Sequence, residues 1–92
     1  MADEDLQKLA QEYQGLQQQL QMVLVQRQQL AMQQNELEQA QKETESSNGP
    51  FYRFIGNVLV GRDKSQLSKE LGDEKAKVVE RNALFEAQEK KL

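Results

Sequence analysis

The residues best placed to do chemistry lie in one stretch, FYRFIGNVLV at 51–60, and the chemistry is association. The chain has no Cys, His or Trp, which removes disulfides, thiol reactivity, the usual zinc sites and His-based acid–base catalysis. Its carboxylates fall on segments of helical pattern, where water screens them. Neither a nucleophile paired with a base nor a phosphate-cradling glycine loop is found, so no catalytic, cofactor or metal residues are assigned. In the stretch itself, Gly56 and Asn57 are two residues able to take positive φ, as a two-residue primed hairpin turn requires. The register that follows pairs Ile55 with Val58, Phe54 with Leu59 and Arg53 with Val60. Side-chain alternation then puts Phe51, Ile55, Val58 and Val60 on one face with Arg53, and Tyr52, Phe54 and Leu59 on the other. An isolated two-stranded hairpin is marginal in water, and this one leaves two edges and two apolar faces open. It therefore needs completion by other copies or other subunits. Phe51, Tyr52, Phe54, Ile55, Gly56, Asn57, Val58, Leu59 and Val60 are the candidate assembly residues.

The segments that must position this hairpin read as helices. Before it, Leu6, Leu9, Tyr13, Leu16, Leu20, Val23, Arg27, Leu30, Gln34, Leu37 and Gln41 alternate at spacings of three and four, a heptad seam. The Gln-rich filling between them has good helix propensity and reads as a solvated flank rather than a prion-like tract, because the apolar period is intact. Asp3, Glu4 and Asp5 suit a helix N-terminus, with Asp3 as N-cap. Gly49 followed by Pro50 supplies a stop. Gly15 costs the helix about 1 kcal/mol relative to Ala. Arg27 at a seam position is expected to snorkel out or pair with an acid.

After the hairpin, DKSQ at 63–66 resembles a capping box with Asp63 as N-cap. Leu67, Leu71, Val78, Phe85 and Leu92 follow at spacings of four and seven, with Glu74, Arg81 and Gln88 at the intervening seam positions. Gly72-Asp73 is a point where this helix could split, an unbroken helix being the favoured reading. The predicted organisation is a single domain over 1–92: a first coiled-coil helix at 3–46, a β-hairpin at 51–61 and a second helix at 64–92. If the arms fold back about the turn, residue i faces roughly residue 113 − i. At about 1.5 Å per residue the arms measure about 66 and about 43 Å, so Leu92 reaches only the neighbourhood of Gln21. Leu6, Leu9, Tyr13 and Leu16 are left without a partner within the chain.

Composition agrees with this sparse architecture. The 92 residues are 37% hydrophobic and 29% charged, with formal net charge −3 and mean hydropathy −0.87, which limits the chain to one modest core and argues against a basic nucleic-acid binder. Residues 1–47 carry 3 basic and 8 acidic side chains and residues 64–92 carry 7 and 6, so the arms attract weakly. The acidic start lacks an apolar signal region and no run is long enough to span a bilayer. A membrane-surface helix is disfavoured because the first arm has no Lys/Arg-rich face.

A long helix, one hairpin and a second helix resemble the β-type subunit of prefoldin, the archaeal and eukaryotic co-chaperone. The resemblance rests on YQGLQQQLQMVLVQRQQL at 13–30 and above all on FYRFIGNVLVGRDKSQLSKEL at 51–71, where Tyr52, Gly56, Asn57, Leu59 and Val60 match the family pattern. It implies a mainly α fold: an antiparallel coiled-coil hairpin whose short β-hairpin joins an intersubunit β-barrel. It further implies a hexamer of two α-type and four β-type subunits bearing six tentacles. Their tips hold non-native proteins through apolar side chains and pass them, without ATP, to a group II chaperonin in the cytoplasm. The candidate client-binding residues are Leu6, Leu9, Tyr13 and Leu16, with Phe85 and Leu92 behind them. The second helix ends at EKKL, earlier than the family usually has it, which bears on client and chaperonin contacts more than on assembly. No cofactor, nucleic acid or membrane partner is expected. The alternative is a coiled-coil oligomerisation scaffold that binds no client.

Overall fold

Heptad spacing on both sides of the bend yields two long helices with a hairpin between them. In the computed structural model, which describes residues 2–92, the order is α1 (Ala2–Ser46), β1 (Phe51–Ile55), β2 (Val58–Arg62) and α2 (Lys64–Lys91). The molecule is a rod measuring 72 × 26 × 14 Å. Its length is that of α1, whose 45 residues span about 68 Å at 1.5 Å each.

Local signals fix the helix ends. Helix α1 is already under way at Ala2, so Asp3 is not its N-cap: it lies with Glu4 and Asp5 in the first turn, where a carboxylate still faces the positive end of the dipole. The last turn of α1 has no basic residue of its own. Lys64 supplies one from the start of α2, donating its Nζ to the Glu45 carbonyl oxygen at 2.9 Å. The chain then leaves through Gly49 at φ +90°, with the Phe51 ring 3.2 Å from where a Cβ would stand. At α2 the capping box is complete: the Gln66 N–H donates to Asp63 Oδ1 at 2.7 Å and the Asp63 N–H to Gln66 Oε1 at 3.3 Å. Helix α2 runs through Gly72 without a break.

The core is the seam between the helices. Val23 and Leu30 of α1 and Leu67 and Leu71 of α2 are buried, and Leu20, Leu37, Val78 and Phe85 are half-buried. Thr44 extends the α1 seam one step beyond Gln41; it is buried, and its hydroxyl donates to the Ala40 carbonyl at 2.7 Å. The expected register is realised, since Glu38 and Lys75 meet at 3.4 Å. The α2 seam departs from expectation in phase. Arg81 and Gln88 are exposed, while Asn82 and Glu89 are half-buried against α1. A straight α-helix drifts by about 20° per heptad relative to a 3.5-residue repeat, which carries the contact stripe past 81 and 88. Arg27 favours the same phase, because it donates Nε to Asn82 Oδ1 at 3.4 Å and forms an ion pair with Glu89.

Glu38 illustrates how charge trims this seam. The Gln34 side chain donates to its carboxylate at 3.3 Å, and that bond first, then Lys75, holds Glu38 below the usual carboxylate range. The folded-state value is depressed, so this contribution is in force at neutral pH and fades as pH falls through the lowered value.

Two substitutions separate core from open seam. Leu30→Ala removes a side chain that is 6% exposed and is expected to cost about 2–3 kcal/mol, whereas Leu6→Ala, at 63% exposed, should cost less than about 0.5 kcal/mol. Thermal unfolding of both variants by circular dichroism measures the difference.

Candidate interaction surfaces

Strands β1 and β2 pair antiparallel in the expected register, Ile55 with Val58, Phe54 with Leu59 and Arg53 with Val60. The ladder continues through Tyr52–Gly61 to Phe51–Arg62, one residue beyond the expected end at 61. The turn uses the left-handed region at only one of its two central residues. Gly56 has φ +63° and Asn57 does not have positive φ. Positive φ at the first central residue alone is the pattern of a type II′ turn, which demands glycine at 56 and leaves 57 less constrained.

The two faces of the hairpin differ in what they meet. Phe51, Arg53, Val60 and Arg62 face the helices and are half-buried. Glu70 holds this face down: its Oε2 accepts from Arg53 Nη1 at 2.9 Å and its Oε1 from Arg62 Nε at 2.9 Å, while Arg53 also pairs with Glu74. Sequence reasoning placed Arg53 on this face but missed its partners. The signal was present, since Arg53 and Arg62 share a strand face and Glu70 and Glu74 stand four apart on α2. The opposite face is open, with Tyr52 59%, Phe54 71% and Leu59 53% exposed. Ile55 and Val58, next to the turn, are also exposed. A cleft where β1 meets the two helices is lined by Ala40, Thr44, Phe51, Phe54, Leu67 and Leu71.

A second apolar surface stands at the other end of α1, about 60 Å from the bend at 1.5 Å per residue. Leu6, Leu9, Tyr13 and Leu16 keep the seam spacing but are 63, 61, 63 and 47% exposed, because residues 64–92 of the antiparallel arm do not reach them. Phe85 is apart from this group, half-buried in the seam where it borders the same groove as Leu30. Leu92 is exposed beyond the last turn of α2. The structure thus brings the nine hairpin residues together in one element and Leu6, Leu9, Tyr13 and Leu16 on one stripe of α1. It does not join Phe85 or Leu92 to that stripe.

The turn geometry makes a local prediction. Gly56→Ala should cost about 1–2 kcal/mol through its left-handed backbone alone, since nothing lies within 4 Å of an added Cβ, and Asn57→Ala should cost less than half of that. Denaturant unfolding of the two variants gives the comparison.

No helix is long and apolar enough to cross a membrane among the described residues. Comparison with curated protein sequences gives no match. A family model described as prefoldin subunit matches residues 7–92. That match runs through the bend as well as along both helices, so it is the whole helix–hairpin–helix unit, and not coiled-coil periodicity alone, that makes this chain a member of the prefoldin subunit family.

Proposed function

We propose that this chain is a β-type subunit of an ATP-independent holdase, assembled through its hairpin and gripping non-native proteins with the far end of α1. The observation that carries this reading is the separation of two open apolar surfaces on one rod, the hairpin face at Tyr52, Phe54 and Leu59 and the stripe at Leu6, Leu9, Tyr13 and Leu16. The single hairpin favours the β type, and membership of the family supports assembly with other prefoldin subunits. By extension of the family resemblance, the partners are α-type subunits in a hexamer of two α and four β, the client is passed to a group II chaperonin, and the setting is the cytoplasm. Several weak apolar tips around one client replace a deep pocket by avidity.

Two sets of substitutions separate assembly from capture. Phe54→Lys with Leu59→Lys puts charge on the open hairpin face and should abolish co-assembly with an α-type subunit, read as mass by light scattering. Leu6→Ser, Leu9→Ser and Tyr13→Ser together should leave that mass unchanged while removing most of the suppression of aggregation of a denatured test protein. Undiminished protection would place the gripping surface elsewhere. Absence of protection even by the unaltered complex would leave a coiled-coil scaffold.

A further inference from the structure

The seam of α1 continues beyond the reach of α2 with its heptad phase unbroken, and its edges there are acidic. Leu6, Tyr13 and Leu20 form one row of the stripe and Leu9, Leu16 and Val23 the other. The positions bordering it are Asp5, Glu12 and Gln19 along one side and Asp3, Ala10 and Gln17 along the other. Lys8, the one cation among residues 2–19, and Glu4 lie toward the outer side of the helix. From 13 to 35 the only charge is Arg27, which is paired with Glu89, so the negative charge of this half of α1 is concentrated at the tip. Within the chain the same edge rule is already satisfied by the opposite sign: Glu38, directly after seam residue Leu37, meets Lys75 of α2.

We propose that the tip of α1 prefers cationic amphipathic segments of non-native proteins, whose apolar residues repeat at three-four spacing and whose bordering positions carry Lys or Arg. This deepens the reading of Leu6, Leu9, Tyr13 and Leu16 as the gripping stripe and rests on it. The occupant continues the seam that α1 already builds against α2, with the border acids of the tip facing bases as Glu38 faces Lys75. A second copy of the tip fits poorly, because its border positions carry the acids Asp3, Asp5 and Glu12 and no base to meet them. An anionic membrane surface is repelled for the same reason.

The test uses the full chain and two fluorescent helical peptides with identical apolar heptads, one bordered by Lys and the other by Glu, with binding followed by anisotropy. At low salt (about 50 mM) the Lys peptide should bind about fivefold more tightly, and at about 500 mM the preference should largely disappear. Asp3→Asn, Asp5→Asn and Glu12→Gln together should bring the two peptides to equal affinity at low salt. The Leu6, Leu9 and Tyr13 to Ser variant should lose both. Equal binding of the peptides by the unaltered chain, or a preference that survives neutralisation of the acids, overturns the charge selectivity while leaving the gripping stripe in place. Retention of both peptides by the Ser variant overturns the stripe itself, and with it the selectivity.

Discussion

A twelve-residue β-hairpin cannot cover both of its own faces, and the rest of the molecule follows from how each face is treated. The inner face is drawn onto α2 by Glu70, which binds Arg53 and Arg62 through its two carboxylate oxygens. The outer face and the turn leave Tyr52, Phe54, Ile55, Val58 and Leu59 50–71% in water. Fully burying such a side chain contributes about 1.5–3 kcal/mol, so these five hold roughly 5–9 kcal/mol in reserve. Association itself costs about 4–15 kcal/mol. Two hairpins that meet cover only the part of each reserve that lies at their contact, whereas a neighbour on each side of every hairpin covers more of it. The assembly expected of a prefoldin subunit is the arrangement in which this arithmetic turns favourable.

The helical half has a different economy. Its seam is short of apolar residues, with Arg27, Gln34 and Gln41 on α1 and Glu74, Lys75, Asn82 and Glu89 on α2 all half-buried. These groups add little net stability once their desolvation is counted, but they allow few registers. Arg27 reaches both Asn82 and Glu89, and Glu38 meets Lys75, so a shift by one heptad would place the arginine opposite the wrong groups. No buried side-chain polar atom is left without a partner among the described residues. The two arms are consequently held in one register, while the tip of α1 lies beyond α2 because the arms are unequal in length.

Much of this was legible because it depends on local rules. The Gly56-Asn57 turn set the strand register, the capping box at Asp63 set the start of α2, and the symmetry about the turn gave the pairing that Glu38 and Lys75 realise. What was missed depends on three-dimensional phase. Strict heptad counting assigned Arg81 and Gln88 to the seam, but helical drift and the reach of Arg27 put Asn82 and Glu89 there. The residue type of Asp3 fits a cap, yet an acid in the first turn gains from the same dipole. The Glu70 latch joins a strand face to a helix face, and no single-element pattern contains both. The open stripe at Leu6, Leu9, Tyr13 and Leu16 followed from counting residues, since exposure there is a matter of unequal arm lengths.

The unpaired part of α1 raises the question of why it is a helix at all. Nucleating a helix fixes several residues for one hydrogen bond, and an isolated segment of fewer than about 12–15 residues is marginal in water. Residues 2–19 escape that cost because they propagate from a helix already held by Leu20, Val23 and Leu30 against α2. Propagation keeps Leu6, Leu9, Tyr13 and Leu16 on one stripe at fixed spacing without a partner helix to brace them. Gly15 stands near this boundary with open space where a Cβ would stand, and it weakens propagation by about 1 kcal/mol relative to Ala. The helix thus has a weaker point close to where pairing with α2 ends. A tip ordered by continuity rather than by packing can bend or fray there without disturbing the hairpin, because the bonds that fix the hairpin lie at the opposite end of the rod.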